Sequence, residues 1–147
     1  MAYWIVKSEP TEYPYEKLAK DGRTAWTGIR NYTARNNLRA MKAGELALFF
    51  HTGKDKAVVG VAKVLSEAEP DPTANGEDFS KVDLGPHQPL KRAVTLAELK
   101  AQPKLKGMSI LKIGRLSVGA VSDAEYKTIL SMADKKPAAK PTRKKSR

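Results

Sequence analysis

Residues 45–64, ELALFFHTGKDKAVVGVAKV, constrain the fold more than any other stretch. ELALFFH (45–51) is apolar at both odd and even positions, the pattern of a strand covered on two faces rather than one. TGKDK supplies turn residues, and AVVGVAKV returns as a second apolar strand, so the two read as a hairpin. A hairpin of this kind belongs at the centre of a domain, with other elements packed around it. The chain has 147 residues, the length of one domain that buries a single core without staples.

The flanking segments fit that centre. YWIVKS (3–8) reads as a short strand, and PYEKLAK before Asp21-Gly22 as a short helix with Pro14 near its first turn. WTG (26–28) reads as a turn. A helix is expected from Asn31, as its cap, to Gly44, with Ala34, Leu38 and Met41 as the buried face. Arg35, Arg39 and Lys42 repeat that spacing one residue on and make a basic stripe. EPDPTANGED (69–78) reads as a loop, FSKVDL and PLKRAV as two further strands, and LSVGAV as another. Thr95 with Glu98 and Ser122 with Glu125 have capping-box spacing at two helix starts. Strands and helices do not alternate regularly, so a doubly wound sheet is disfavoured. The expected class is α+β, a small open barrel with helices at its ends and sides.

Cysteine is absent, which excludes disulfides and thiolate metal sites and fits a reducing, intracellular setting. MAYWIVKSEP lacks the basic and apolar blocks of a signal peptide, and no stretch has the length of a membrane span. The net charge is +11; seven basic residues and one acid lie in 134–147, so that segment carries +6 and residues 1–133 carry +5. DKKPAAKPTRKKSR offers nothing to bury and is expected to be a disordered basic tail, either a polyanion-binding arm or a solubilising extension. Residues 1–133 then form the folded domain, still basic without the tail.

Familiar catalytic signatures are missing. His51 and His87 stand apart with no paired ligand motif, so no metal is expected. No phosphate-cradling glycine loop and no G-x-S-x-G nucleophile turn occurs, so no nucleotide cofactor and no dedicated enzyme are expected. The carboxylates at 67–78 read as a solvated cluster. What stands out is WTGIRNY (26–32), an indole, a guanidinium, an amide and a phenol around a glycine. Such groups stack on a flat ligand, pair with its edge and neutralise a nearby phosphate. Each has a plainer reading: Trp26 as core, Asn31 as a helix cap, the 35/39/42 stripe as a solvated helix face. Lys7 and Ser8 end a strand where a small ligand could enter, or simply precede Pro10. His51 is either a satisfied edge residue or a ligand contact. Arg115 needs a partner, an internal carboxylate or a bound phosphate.

In order along the chain, YWIVKSEP, WTGIRNYTARNNLR, GELALFFHT, VVGVAKV, PDPTA, VDL and RLSVGAV resemble the EVE domain family from about Tyr3 to about Met132. The resemblance implies a PUA-like mixed β-barrel of about five to six strands, similar to YTH domains that hold a methylated adenine in an aromatic cage. It implies a module that reads a modified base, notably a modified cytosine in DNA, or a modified base in RNA. Carried over by motif, the ligand-binding residues would be Lys7, Ser8, Trp26, Thr27, Gly28, Arg30, Asn31, Tyr32, His51, Thr52, Arg115 and Ser117. The Arg35, Arg39 and Lys42 stripe, which abuts this cluster, is expected to contact phosphates. The expected partner is nucleic acid, with no membrane, and the expected state is a monomer. The expected place is the cytoplasm, at the nucleoid in a bacterium, or the nucleus in a eukaryote. Departures are Glu69 where an aromatic is common, Phe79 near a usual Trp, and Gly53 where HSN would put an amide. An enzyme acting on a nucleotide or modified nucleoside, and an adaptor that binds only through its tail, are the competing readings.

Overall fold

The computed structural model describes residues 2–135; the basic tail beyond Lys135 lies outside them. The described residues form seven strands: β1 (Tyr3–Ser8), β2 (Thr24–Trp26), β3 (Leu46–His51), β4 (Ala57–Val64), β5 (Glu69–Pro70), β6 (Ser80–Thr95) and β7 (Val118–Val121). The helices are α1 (Tyr15–Asp21), α2 (Tyr32–Ala40), α3 (Leu96–Ala101), α4 (Ser109–Lys112) and α5 (Asp123–Asp134), with single 3-10 turns at Pro72–Ala74 and Pro103–Leu105. The sheet runs β2-β6-β4-β3-β1-β7, with β5 paired to β6. It is mixed, because β1 pairs in parallel with β3 (Ser8 opposite His51) while its neighbours are antiparallel. The result is a curled half-barrel flanked by helices.

The expected hairpin is β3–β4, and it sits in the middle of the sheet. Its apolar pattern follows from burial on both faces. Side chains alternate along a strand, so Trp4, Val6, Ala47 and Phe49 enter one core with Leu18 of α1 and Ala34 and Leu38 of α2. Ile5, Leu48, Phe50 and Val58 enter the other with Leu99, Ile110, Tyr126 and Ile129 from α3 to α5. Each such side chain contributes roughly 1.5–3 kcal/mol on burial.

Three expectations are corrected. FSKVDL and PLKRAV are one continuous strand, β6, not two. It survives Pro86 and Pro89 because they border the places where its pairing with β4 slips, Pro86 opposite Ala62 beside the Val61/Ala62 shift and Pro89 opposite Gly60 beside the Val58/Gly60 shift, where the ladder is already irregular. β6 curls so that Val82–Leu84 pair with β2 and Leu84–Thr95 with β4. The helix from Asn31 stops at Ala40, with Met41 already extended, so Lys42 lies off the helix and the basic stripe keeps only Arg35 and Arg39. Trp26 belongs to a strand rather than a turn. Both capping boxes form, at Thr95 with Glu98 and at Ser122 with Glu125.

Gly60 in β4 is required by close approach. A Cβ there would lie 2.7–2.9 Å from ring atoms of Tyr15. That ring has little room to retreat: its hydroxyl donates to the Val61 carbonyl at 2.8 Å and it packs edge-on against Phe49. Gly60→Ala is expected to cost about 1–3 kcal/mol through overpacking, read as a lower urea midpoint at unchanged slope.

Candidate functional site

The WTGIRNY stretch is held by a residue 41 positions away, Asp71. Trp26 ends β2, and Gly28 turns the chain at φ +82°, a conformation that favours glycine. The turn brings the Gly28 N–H to 2.8 Å from Asp71 Oδ2, and the Arg30 guanidinium donates to the same oxygen at 3.1 Å. The other oxygen accepts from the Thr73 N–H and hydroxyl, each at 2.7 Å, and Arg30 also donates to Thr73 Oγ1. Asp71 caps the 3-10 turn that Pro72 begins. Its side chain is fully buried. Burial pushes its pKa up, but the hydrogen bonds from Thr73, Gly28 and Arg30 outweigh that and hold it at about 2. The carboxylates of this loop are therefore not all solvated, as the sequence had suggested. The one that matters most is internal, and DPTA, an acid before a helix-starting proline, was the local signal for it.

On this frame lies a pile of rings and guanidinium groups. Arg30 stands 5.2 Å over the Phe79 ring, Tyr32 stacks on Phe79 at 5.5 Å and 8°, and Arg35 stands 4.9 Å over Tyr32. Phe79 is buried, while Tyr32 is 64% exposed, the largest such aromatic surface among the described residues. Asn31 caps α2 through its Oδ1, which accepts from the Ala34 N–H at 2.9 Å. Trp26 is 9% exposed and packs edge-on between Tyr13 and Phe49, beneath the turn. Thr27 is half-buried next to it.

The basic stripe is occupied from within. Arg35 donates to the Asp78 carbonyl at 3.0 Å and pairs with its carboxylate at 3.3 Å; Arg39 pairs with the same carboxylate and donates to Ser80 Oγ at 2.9 Å. The Asp78 side chain is itself 79% exposed, so this is an internal anion held at the surface. Lys42 is exposed beyond the helix end.

The remaining candidates separate. Ser8 faces the Trp26 side, its hydroxyl donating to the Tyr13 carbonyl at 2.5 Å. His51 is buried; its Nε2 accepts the Tyr15 N–H at 3.0 Å, which leaves Nδ1 to donate to Asp55 at 3.1 Å. Lys7 points through the opposite face of the sheet, as neighbours on a strand do, and its ammonium donates to the Gly114 carbonyl at 2.8 Å. Thr52 lines the same side as Lys7. Ser117 contributes a carbonyl to the Lys7 N–H, and Arg115 is exposed, with no internal carboxylate partner among the described residues. Tyr13, Asp71, Asp78 and Phe79 are members of the site that sequence reasoning missed. No group of three His, Asp or Glu side chains among the described residues is placed to hold a metal, and no described helix is long and apolar enough to cross a membrane.

A curled mixed half-barrel with a strand-end aromatic cluster and a guanidinium-stacked rim defines a PUA-like domain. Within that class, residues 2–132 match the EVE domain profile, and the chain belongs to the EVE domain family. Thymocyte nuclear protein 1 from Homo sapiens is 33% identical across 93% of this chain and 76% of its own length. A protein from Rhodopseudomonas palustris, solved by NMR, is 40% identical and superposes with a TM-score of 0.86 over 91% of this chain and 94% of its own. The crystal structure of human THYN1 in complex with 5-methylcytosine containing DNA is 32% identical, with a TM-score of 0.87 over 93% of this chain and 100% of its own.

Asp71 makes the turn acid-sensitive. Its carboxyl is depressed from 3.8 to about 2 on folding, so its stabilising contribution is complete above about pH 4 and is lost as pH falls through 2. Asp71→Asn is expected to cost about 1–3 kcal/mol at neutral pH and to flatten the stability profile between pH 4 and 2, both measured by urea unfolding.

Proposed function

We propose that the rim formed by the 27–32 turn, α2 and the 71–79 loop binds a DNA strand and holds one modified base, a 5-methylcytosine, without turning it over. The observation that carries this reading is the Arg30–Phe79–Tyr32–Arg35 pile, whose Tyr32 ring is 64% exposed, backed by Phe79 and covered by the Arg35 guanidinium, which a base displaces as Arg35 turns to a phosphate. Bases stack on such a face for roughly 1–3 kcal/mol each, and flanking guanidinium groups meet phosphates. Support comes from the human THYN1 relative, which has been crystallised with 5-methylcytosine containing DNA.

Each residue has a part. Tyr32 stacks on the base, and Trp26 walls the pocket from beneath. The Asn31 amide N–H groups, free of the cap contact that its oxygen makes, reach the base edge, with Thr27 and the Gly28 backbone beside them. Ser8 and His51 hold the strand ends and α1 that shape the wall. Arg35 and Arg39 exchange Asp78 for a backbone phosphate, and Lys42 adds charge past the helix end. A methyl group against an apolar wall contributes about 0.8 kcal/mol, against a few kcal/mol to extrude a base from duplex. Preference for the methyl is therefore modest, and stacking and phosphate contacts supply most of the affinity.

Tyr32 is the cleaner residue to remove, because truncating buried Trp26 would cost about 3–5 kcal/mol of stability. In titrations of matched oligonucleotides, Tyr32→Ala is expected to weaken 5-methylcytosine binding by about 5- to 150-fold while leaving the unfolding midpoint almost unchanged. A chain ending at residue 135 keeps the preference. Equal binding of methylated and unmethylated strands, fading together with salt, would leave only a phosphate-gripping surface; recovery of a chemically altered base would point to an enzyme. Asp78→Asn is expected to raise affinity by up to about fivefold, the worth of an exposed ion pair, and to steepen the dependence of log K on log salt.

A further inference from the structure

Behind the base-binding rim, on the face of the sheet that Lys7 occupies, lies a second cavity of about 240 Å³. Lysines surround it: Lys7 from the end of β1, Lys56 from the turn before β4 and Lys100 from the last turn of α3. Its floor is apolar, formed by Phe50, Leu96 and Ile110, and no carboxylate is among its lining residues. None of the three lysines has an ion-pair partner among the described residues. Lys7 is half-buried; its ammonium lies 5.8 Å from the Phe50 ring centroid and donates to the Gly114 carbonyl. Burial lowers its pKa, so a nearby anion would stabilise its charged form. Glu9, at the rim, is engaged by the Thr11 and Thr52 hydroxyls.

The backbone adds a separate sign. Lys56 sits at φ +41°, in the left-handed region that a lysine rarely adopts. It is kept there while its carbonyl accepts the Leu96 N–H at 2.7 Å. Asparagine or glycine would adopt this turn with less strain, so the geometry retains an ammonium at the mouth at some conformational cost.

We propose that this cavity is a second ligand site, for a dianionic phosphate monoester carried on a compact, largely apolar body. Three lysines without ion-pair partners among the described residues line this one cavity, so a doubly charged head balances them better than a singly charged carboxylate. The floor takes the body. The volume lies below the 300–1,000 Å³ usual for drug-sized ligands, which limits the body to about a single ring. Two sources share this chemistry: a free small phosphate monoester, and the 5′-terminal phosphate of a nucleic-acid strand. The site is independent of the base-binding reading, since it lies across the sheet from Tyr32 and uses none of the rim residues.

The test is a titration of the full chain, followed by backbone amide shifts, with phenyl phosphate, inorganic phosphate, benzoate, and a dinucleotide with and without a 5′-phosphate. Phenyl phosphate is expected to shift the amides of Gly53, Leu111 and Gly114 saturably, and to bind at least about tenfold more tightly than inorganic phosphate or benzoate, a difference of 1.4 kcal/mol. Lys100→Glu is expected to weaken phenyl phosphate by at least tenfold and to leave the preference for methylated oligonucleotides unchanged. Equivalent shifts with the phosphorylated dinucleotide alone of the pair would identify a strand end as the source. Their absence, with phenyl phosphate bound, would identify a free monoester. The proposal is overturned if inorganic phosphate or benzoate matches phenyl phosphate. It is equally overturned if the shifts spread over surface lysines and vanish at about 0.15 M salt. Loss of methyl preference with this cavity intact would count against the rim reading alone.

Discussion

Through the middle of the molecule run two parallel six-residue strands, Tyr3–Ser8 and Leu46–His51, paired along their whole length. Parallel strands need a crossover, and here the 9–45 segment supplies it, carrying α1 and α2 over one face of the sheet and adding β2 beside β6 at its end. That crossover delivers the Trp26–Tyr32 stretch to the ends of the two strands. Because side chains alternate, the final residues of β1 also divide two surfaces. Ser8 looks toward Tyr13 and the aromatic cluster, and Lys7 looks the other way, toward Phe50 and the lysine-lined cavity. The apolar residues on both faces of these strands are thus a condition of the site as well as of stability.

The rim depends on charge placed inside the protein. Asp71 is a buried anion with a full set of donors, and leaving any of them out would strand either a carboxylate or a guanidinium. By fixing Gly28 and Arg30, it sets the angle at which Arg30 covers Phe79, and Phe79 in turn supports Tyr32. An aromatic that is 64% exposed would ordinarily be free to sample rotamers. Stacking on Phe79 and the Arg35 guanidinium over the ring hold Tyr32 in place, so a flat partner that displaces the guanidinium meets an ordered ring and less entropy is lost on binding.

Asp78 shows how a basic surface is managed without a ligand. Arg35 and Arg39 converge on its exposed carboxylate, so the guanidinium groups stay oriented and their mutual repulsion is offset. Exposed pairs of this kind contribute little stability, and a phosphate can take their place.

Much of the local structure was legible. The two-faced strand of the central hairpin, the Ala34–Leu38–Met41 face, the Asn31 cap and both capping boxes follow from short-range rules, since residues a few positions apart meet whatever the rest of the chain does. The motif resemblance reached further and named the family and its PUA-like barrel class. The long strand β6 was not legible, because Gly85 and Pro86 read as a break unless the slipped partner strand is known. Nor was the state of the charged side chains. Whether Asp71 is solvated or buried, whether Arg35 and Arg39 are free, and whether Lys7 and Ser8 serve one site or two are set by residues about 40 or more positions away. The sequence by itself determined which elements form and which chemistry is available. The tertiary structure decided which charges are paired, buried or left open, because electrostatic environment depends on distance in space and not on position along the chain.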